Sequence, residues 1–216
     1  TGVEQLEFIG FDACLMSQVE ALSGIAPYAR YAAASEEVEP AMGWAYAQFL
    51  GRLVAKPKQT GADLARNIVN SYIVDDIRIQ DDDARSEYVA EVYGSEDEVS
   101  AADLGQQESQ DVTLTAVDLR KLPDYMAALN DFAVALTSVD PLAVAQARTY
   151  AQSFTSVFGE EMPPSYLDVG NFARLAAELA GDDALDDAVN ALESAADDFI
   201  LAEKHGSGKP GATGLT

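Results

Sequence analysis

Short apolar runs alternate with stretches of helical periodicity along this chain. That alternation points to a sheet connected by helical crossovers. Leu6-Glu7-Phe8-Ile9-Gly10-Phe11 reads as a short, mostly apolar strand buried on both faces, and Asp12 to Leu15 as its C-terminal turn. Ser17 has Glu20 three residues on, the spacing of a capping box, ahead of an apolar stripe at Val19, Leu22 and Ile25. Tyr31 to Ala34 is a second short strand, and the acidic turn Ser35-Glu36-Glu37-Val38-Glu39-Pro40 follows it. Trp44 to Val54 reads as helix, and Thr60 caps another with Leu64, Ile68 and Tyr72 on one face.

From about Asp75 to Asp111 the apolar spacing is irregular, with acidic runs at Asp81-Asp82-Asp83 and Ser95-Glu96-Asp97-Glu98. This stretch is expected to be a partly mobile excursion, with an acidic insert at residues 80–111. Order returns at Val112 to Val117, a β-branched strand. A helix carrying Tyr125, Leu129, Phe132 and Leu136 follows, and Asp140-Pro141 opens another. Val169 to Leu179 and Leu185 to Phe199 are amphipathic helices, and Phe199 to Ala202 turns into a final strand. The expected fold is an α/β layer protein with a largely parallel sheet. In such sheets functional residues collect beyond the C-terminal ends of strands, which is where Cys14 falls.

The chain has 216 residues, enough to bury a core, and no apolar run reaches the roughly 20 residues that cross a bilayer. Thr1-Gly2-Val3 has the look of an interior start. Lys and Arg total 13 against 37 Asp and Glu, a net charge of -24. That field repels nucleic acid and anionic membranes; it serves solubility, a salt-rich habitat or calcium exposure, or else attracts basic substrates. One cysteine excludes internal disulfides and cysteine-cluster metal sites. Cys14 is therefore either buried filler or a nucleophile. A strand-to-helix turn offers backbone N–H groups to a developing oxyanion, and a helix N-terminus after it favours the thiolate.

Phe11-Asp12-Ala13-Cys14-Leu15-Met16, with Val19-Glu20, resembles the nucleophile segment of the clostripain family of cysteine peptidases. Ala34-Ser35-Glu36-Glu37-Val38-Glu39-Pro40 and Gly43-Trp44-Ala45-Tyr46 match the family's next segments in order. Ala116-Val117-Asp118-Leu119, Tyr166-Leu167-Asp168 and the terminal Gly211 to Thr216 are weaker, collinear matches. The resemblance implies a caspase-like three-layer sandwich, incomplete at its N-terminal side, of which residues 1–216 are the C-terminal portion. It implies a Cys-His dyad, cleavage of polypeptides after Arg or Lys, autoprocessing, and export to the cell envelope or beyond.

Cys14 maps onto the nucleophile. The family's base is a His-Gly pair before the cysteine, and nothing of that kind precedes Cys14. The dyad histidine is expected upstream of Thr1 or on a separate chain. His205, the single histidine, stands far after the cysteine, the wrong order for this family, though convergent Cys-His sites differ in order. Asp12 matches one acid of the first specificity pocket, where a guanidinium needs a paired charge. The family's second acid falls at Met42, which weakens strict basic specificity. Trp44 walls the pocket or fills the core, and Ser35 and Glu36 offer backbone to an extended substrate. No cofactor is required. The resemblance implies calcium activation for some members; Asp81, Asp82 and Asp83 are hard oxygen ligands for that ion but lack the spacing of a calcium loop and read also as a solvated charge run. A second reading is a catalytically silent caspase-like module that binds peptides or partner proteins.

Overall fold

A computed structural model describes Gly2 and residues 4–94, 98–156 and 164–216. Its elements begin with β1 (Leu6–Gly10), α1 (Val19–Ile25), β2 (Ala29–Ala34), α2 (Tyr46–Ala55) and α3 (Gly61–Ser71). There follow α4 (Ile77–Gln80), α5 (Asp82–Tyr93), α6 (Ala101–Ser109), β3 (Thr113–Asp118) and a 3-10 turn at Leu119–Lys121. The chain continues through α7 (Leu122–Leu136), α8 (Pro141–Tyr150), α9 (Val169–Ala180), α10 (Asp183–Phe199) and β4 (Ile200–His205).

The four strands lie in the order β1-β2-β3-β4. β1 pairs with β2 in parallel, β2 with β3 antiparallel, and β3 with β4 antiparallel. Three strands therefore run one way and β3 runs against them. The expectation of a largely parallel sheet holds for strand direction but not for pairing, because the reversed strand sits between β2 and β4. β1 is half-exposed and was expected to be buried on both faces. It is an edge strand of this sheet, so one flank has no neighbour among the described residues.

Helices cover both faces, which gives three layers. Alternate residues of the central strands point to opposite sides. Ala32 and Val117 enter a core with α1, α7, α9 and α10 that includes Leu22, Tyr125, Phe132, Leu185 and Phe199. Ala33, Leu114 and Ala116 enter the other core, with Trp44, Phe49, Ile68 and Tyr72. Alanine through most of β2 lets both helical layers approach the sheet closely. Each fully buried Leu, Ile or Phe contributes about 1.5–3 kcal/mol.

Thr60 accepts from the Asp63 N–H and Asp63 accepts from the Thr60 N–H, so α3 starts on the expected cap. The stretch from 75 to 111 is mostly helical, not irregular. Its Ile79, Tyr88, Val89 and Leu104 are part of the second core. Ser95, Glu96 and Asp97 of its second acidic run lie outside the described residues. No helix among the described residues is long and apolar enough to cross a membrane.

Candidate active site

Because β1 and β2 are parallel, their C-terminal ends emerge side by side, and the segments leaving them stay hydrogen-bonded. Phe11 N–H donates to Ala33 O, Leu15 N–H to Glu37 O at 3.2 Å, and Ser17 N–H to Ser35 O at 2.8 Å. Within this ladder the chain bulges outward at Cys14. Leu15 takes a left-handed backbone (φ 59°), a conformation that costs a non-glycine residue about 1–2 kcal/mol. Its side chain is buried against Phe154 and Ala212, which holds the turn in place. Cys14 is exposed, and its Sγ accepts the Glu39 N–H at 3.3 Å.

Ser17 does not cap α1. Its hydroxyl donates to Gly214 O at 2.6 Å, and α1 begins at Val19 with Gln18 at the cap position. Residues 15–18 thus separate the helix from the thiol, and the N-terminus expected beside Cys14 is not there. The C-terminal segment closes on the same place, with Val19 N–H on Thr216 O and Thr216 N–H on Ser17 O, both at 3.0 Å.

Asp12 faces the loop after β2. Its Oδ2 accepts the Trp44 N–H at 3.4 Å. Gly43 lies against it with φ +60°, and a Cβ there would sit 3.0 Å from both Asp12 carboxylate oxygens. The Trp44 ring is buried, and Gly10 leaves room for it: a Cβ at Gly10 would fall 2.6 Å from Trp44 Cη2. Trp44 Nε1 donates to Glu39 Oε1 at 3.1 Å. One tryptophan therefore bridges two carboxyls, Asp12 through its backbone and Glu39 through its indole. Burial first, then hydrogen bonding to Asp12, pushes Glu39 up to about 9. Tyr46 faces Asp12 from α2, and burial and that carboxylate raise its phenol above the usual value.

The other sequence-derived site residues divide. Asp12, Cys14 and Trp44 are brought together. Met42 is buried in the second core and offers no charge. Ser35 and Glu36 were expected to meet substrate but are fully buried. Ser35 O is taken by the Ser17 N–H and Glu36 N–H by Thr113 Oγ1. The Glu36 carboxyl points inward, where Oε2 accepts the Gly214 N–H at 3.1 Å. Burial, then the facing Asp168 carboxylate, holds it well above the ordinary carboxyl range. Glu37 turns the other way and pairs with Lys209 Nζ at 2.5 Å.

Glu39 was the site residue that sequence reasoning missed. It was written only as part of an acidic turn. His205 ends β4, and its Nδ1 contacts the Glu203 carboxylate at 2.9 and 3.1 Å, while the described contact of Cys14 Sγ is the Glu39 N–H. Asp81 caps α5 and Asp82 pairs with Arg85, so these acids serve the helix. Among the described residues no group of three or more His, Cys, Asp or Glu side chains is placed to hold a metal ion.

The model of the clostripain family matches residues 1–209. Among solved structures, the chain is similar to iotapain, a secreted C11 cysteine protease from Bacteroides thetaiotaomicron. The TM-score is 0.59 at 16% identity, covering 98% of this chain and 49% of that one. It is similar to a clostripain from Bacteroides thetaiotaomicron ATCC 29148 in complex with the peptide inhibitor BTN-VLTK-AOMK, at TM-score 0.56 and 15% identity, covering 93% and 68%. An inactive zymogen C11 protease from Parabacteroides distasonis aligns at TM-score 0.54 and 15% identity, covering 94% and 45%. The chain thus spans about half the length of iotapain and of the zymogen. No curated protein matches. The structural likeness establishes the fold, a caspase-like α/β sandwich.

Proposed function

The chain belongs to the clostripain family of cysteine peptidases, and on that premise we propose that it carries the nucleophile and the first specificity pocket of an endopeptidase. The observation that carries this reading is the exposed Cys14 sulfur on a strained turn, 3.3 Å from the Glu39 N–H and beside two carboxyls. Cys14 Sγ attacks the scissile carbonyl carbon, forming a C–S bond, and its proton passes to an imidazole base. The C–N bond breaks as that imidazolium protonates the leaving amine, which leaves a thioester. Water then attacks, the base takes its proton, and the C–S bond breaks to regenerate the thiol.

The base in this reading is a histidine outside these 216 residues, on an upstream segment or a separate chain, because His205 follows the cysteine, against the family's order, and the described contact of Cys14 Sγ is the Glu39 N–H. These residues alone are then inactive. Cleavage after Arg or Lys is the preferred specificity, since Asp12 stands two residues before the thiol. The inhibitor on one similar structure reads VLTK before its AOMK group, which supports the same preference. Processing and export belong to the same proposal: one similar structure is of an inactive zymogen and another is of a secreted protease.

A catalytically silent peptide-binding module is the second reading, favoured by the uncharged, buried Met42 at the position of the family's second acid. One experiment separates the two. The full-length protein and its Cys14→Ala variant are incubated with fluorogenic Arg, Lys and norleucine peptides. Hydrolysis lost in Cys14→Ala is the expected result. Hydrolysis that survives it sinks the nucleophile assignment, and no hydrolysis by the parent protein favours the silent module.

A further inference from the structure

We propose that Glu39 is a specificity carboxylate of this pocket, acting with Asp12 on the charged end of a basic substrate side chain, and that the Tyr72 hydroxyl forms the pocket floor. The inference rests on the proposed basic preference and names which residues of this chain produce it.

Three observations converge on it. First, Glu39 touches the thiol and the pocket at once. Its N–H meets Cys14 Sγ at 3.3 Å, while its Oε1 is fixed by the Trp44 indole at 3.1 Å. The depth of the carboxyl below the sulfur is therefore set by a single residue. Second, Glu39 Oε2 is buried with no N–H or hydroxyl partner. The Asp12 carboxyl faces it within hydrogen-bonding reach and raises it further. Third, Tyr72 is fully buried at the end of α3, yet its hydroxyl has no hydrogen-bond partner. It lies within electrostatic reach of Glu39, Asp12 and Cys14, and burial and those groups raise it far above an ordinary phenol. A buried hydroxyl left unpaired costs about 1–3 kcal/mol. The backbone there is strained as well, with Ile73 left-handed at φ 62°. Two polar atoms without N–H or hydroxyl partners and an ionisable carboxylate, beside an exposed sulfur, form a socket for a multi-donor cation.

The charged and titratable groups facing Glu39 come from each neighbouring element. Asp12 and Cys14 come from the turn after β1, Tyr46 from α2 and Tyr72 from α3. Arg78 of α4 reaches Trp44 O at 3.5 Å, but its guanidinium is held by Asp76 at 2.8 Å. Asp76 is its main partner, and Arg78 lies within electrostatic reach of Asp12 as well. In the free site a proton occupies the position a substrate cation would take. When an ammonium or guanidinium enters, Glu39 releases that proton to solvent and forms a charge-assisted pair. Arg, with five donors in a fork, can reach Asp12, Glu39 and Tyr72 together, whereas Lys has three donors at one point.

The experiment measures kcat/KM of the full-length protein for peptides differing only in Arg, Lys or norleucine before the scissile bond, from pH 6 to 9. The ratio of Arg to norleucine cancels the titration of the catalytic groups. For the parent protein this ratio should rise with pH, by up to about tenfold per unit, and level off near 9 as Glu39 ionises without substrate. In Glu39→Gln it should fall by about tenfold or more at pH 8 and lose its pH dependence. Tyr72→Phe should lower Arg cleavage more than Lys cleavage. If Glu39→Gln does not fold, shown by loss of its cooperative thermal melt, Glu39→Asp and Tyr72→Phe carry the test through the same ratio. An unchanged Arg-to-norleucine ratio in Glu39→Gln, beside a collapsed one in Asp12→Asn, overturns the role of Glu39 and leaves the basic pocket standing. A parent protein with no preference for Arg or Lys over norleucine overturns both.

Discussion

Glu36 and Glu37 are adjacent in sequence, yet their carboxyls sit in opposite electrostatic environments. Glu36 is turned inward, and its carboxyl meets the Gly214 N–H on one side and the Asp168 carboxylate on the other. Glu37 is turned outward, where Lys209 Nζ and the Thr155 and Val38 N–H groups surround it. Burial raises Glu36, whereas for Glu37 the same burial is outweighed by Lys209 and those donors, and its carboxyl is lowered. Neighbouring residues at a strand end point to opposite faces, so one glutamate enters the core and the next meets a cation.

Glu36 makes the fold less stable as pH rises. The unfolded carboxyl loses its proton near 4.5, while the folded one keeps it to much higher pH, so stability declines above about 4.5. Glu36→Gln keeps an acceptor for Gly214 and supplies an N–H toward Asp168. Thermal melts between pH 5 and 8 should show a shallower decline for the variant. An identical slope would mean that Glu36 is ionised in the folded protein.

Glu37 behaves with the opposite sign. Its folded value is lowered, so its stabilisation is present above about 4.5 and is lost as pH falls through the folded value. Lys209→Met leaves that carboxylate on its N–H donors alone and should cost about 1–3 kcal/mol at pH 7 in denaturant titration. The gap between variant and parent should narrow below pH 4.5.

Gly43→Ala places a side chain at φ +60° and brings its Cβ to 3.0 Å from the Asp12 carboxylate oxygens. The backbone alone costs about 1–2 kcal/mol. The melting temperature should drop by about 2–8 °C for a chain of this size. Asp12 should be displaced, so cleavage after Arg should fall more than cleavage after norleucine.

Ser17→Ala removes the donor to Gly214 O and leaves that buried carbonyl unpaired. A loss of about 1–3 kcal/mol is expected in thermal or denaturant unfolding. Retention of full stability would show that water or a shifted backbone group satisfies Gly214.

Much of the layer plan was legible from local pattern. The apolar runs at β1, β2 and β3 and the Thr60–Asp63 cap obey short-range rules that need no knowledge of the rest of the chain. The direction of β3 was not legible, since period-two alternation is the same for a strand read either way. The capping-box spacing at Ser17 misled, because a long-range partner, Gly214, competes for the hydroxyl and wins it. At the site, Asp12 and Cys14 could be read from their segment. Glu39 could not, as nothing in the run of glutamates tells which one turns toward the pocket. The ladder between residues 11–17 and 33–37 decides that, together with the Trp44 indole arriving five residues later.

The pairing of Ser17 and Val19 with Thr216 makes the intervening chain a nearly closed ring. A single backbone cut at an exposed turn such as Lys56-Pro57-Lys58 would open that ring without parting the two pieces, because the sheet, both cores and the Thr216 pairing still hold them. The nicked protein should run as one particle under native conditions and as two bands once denatured.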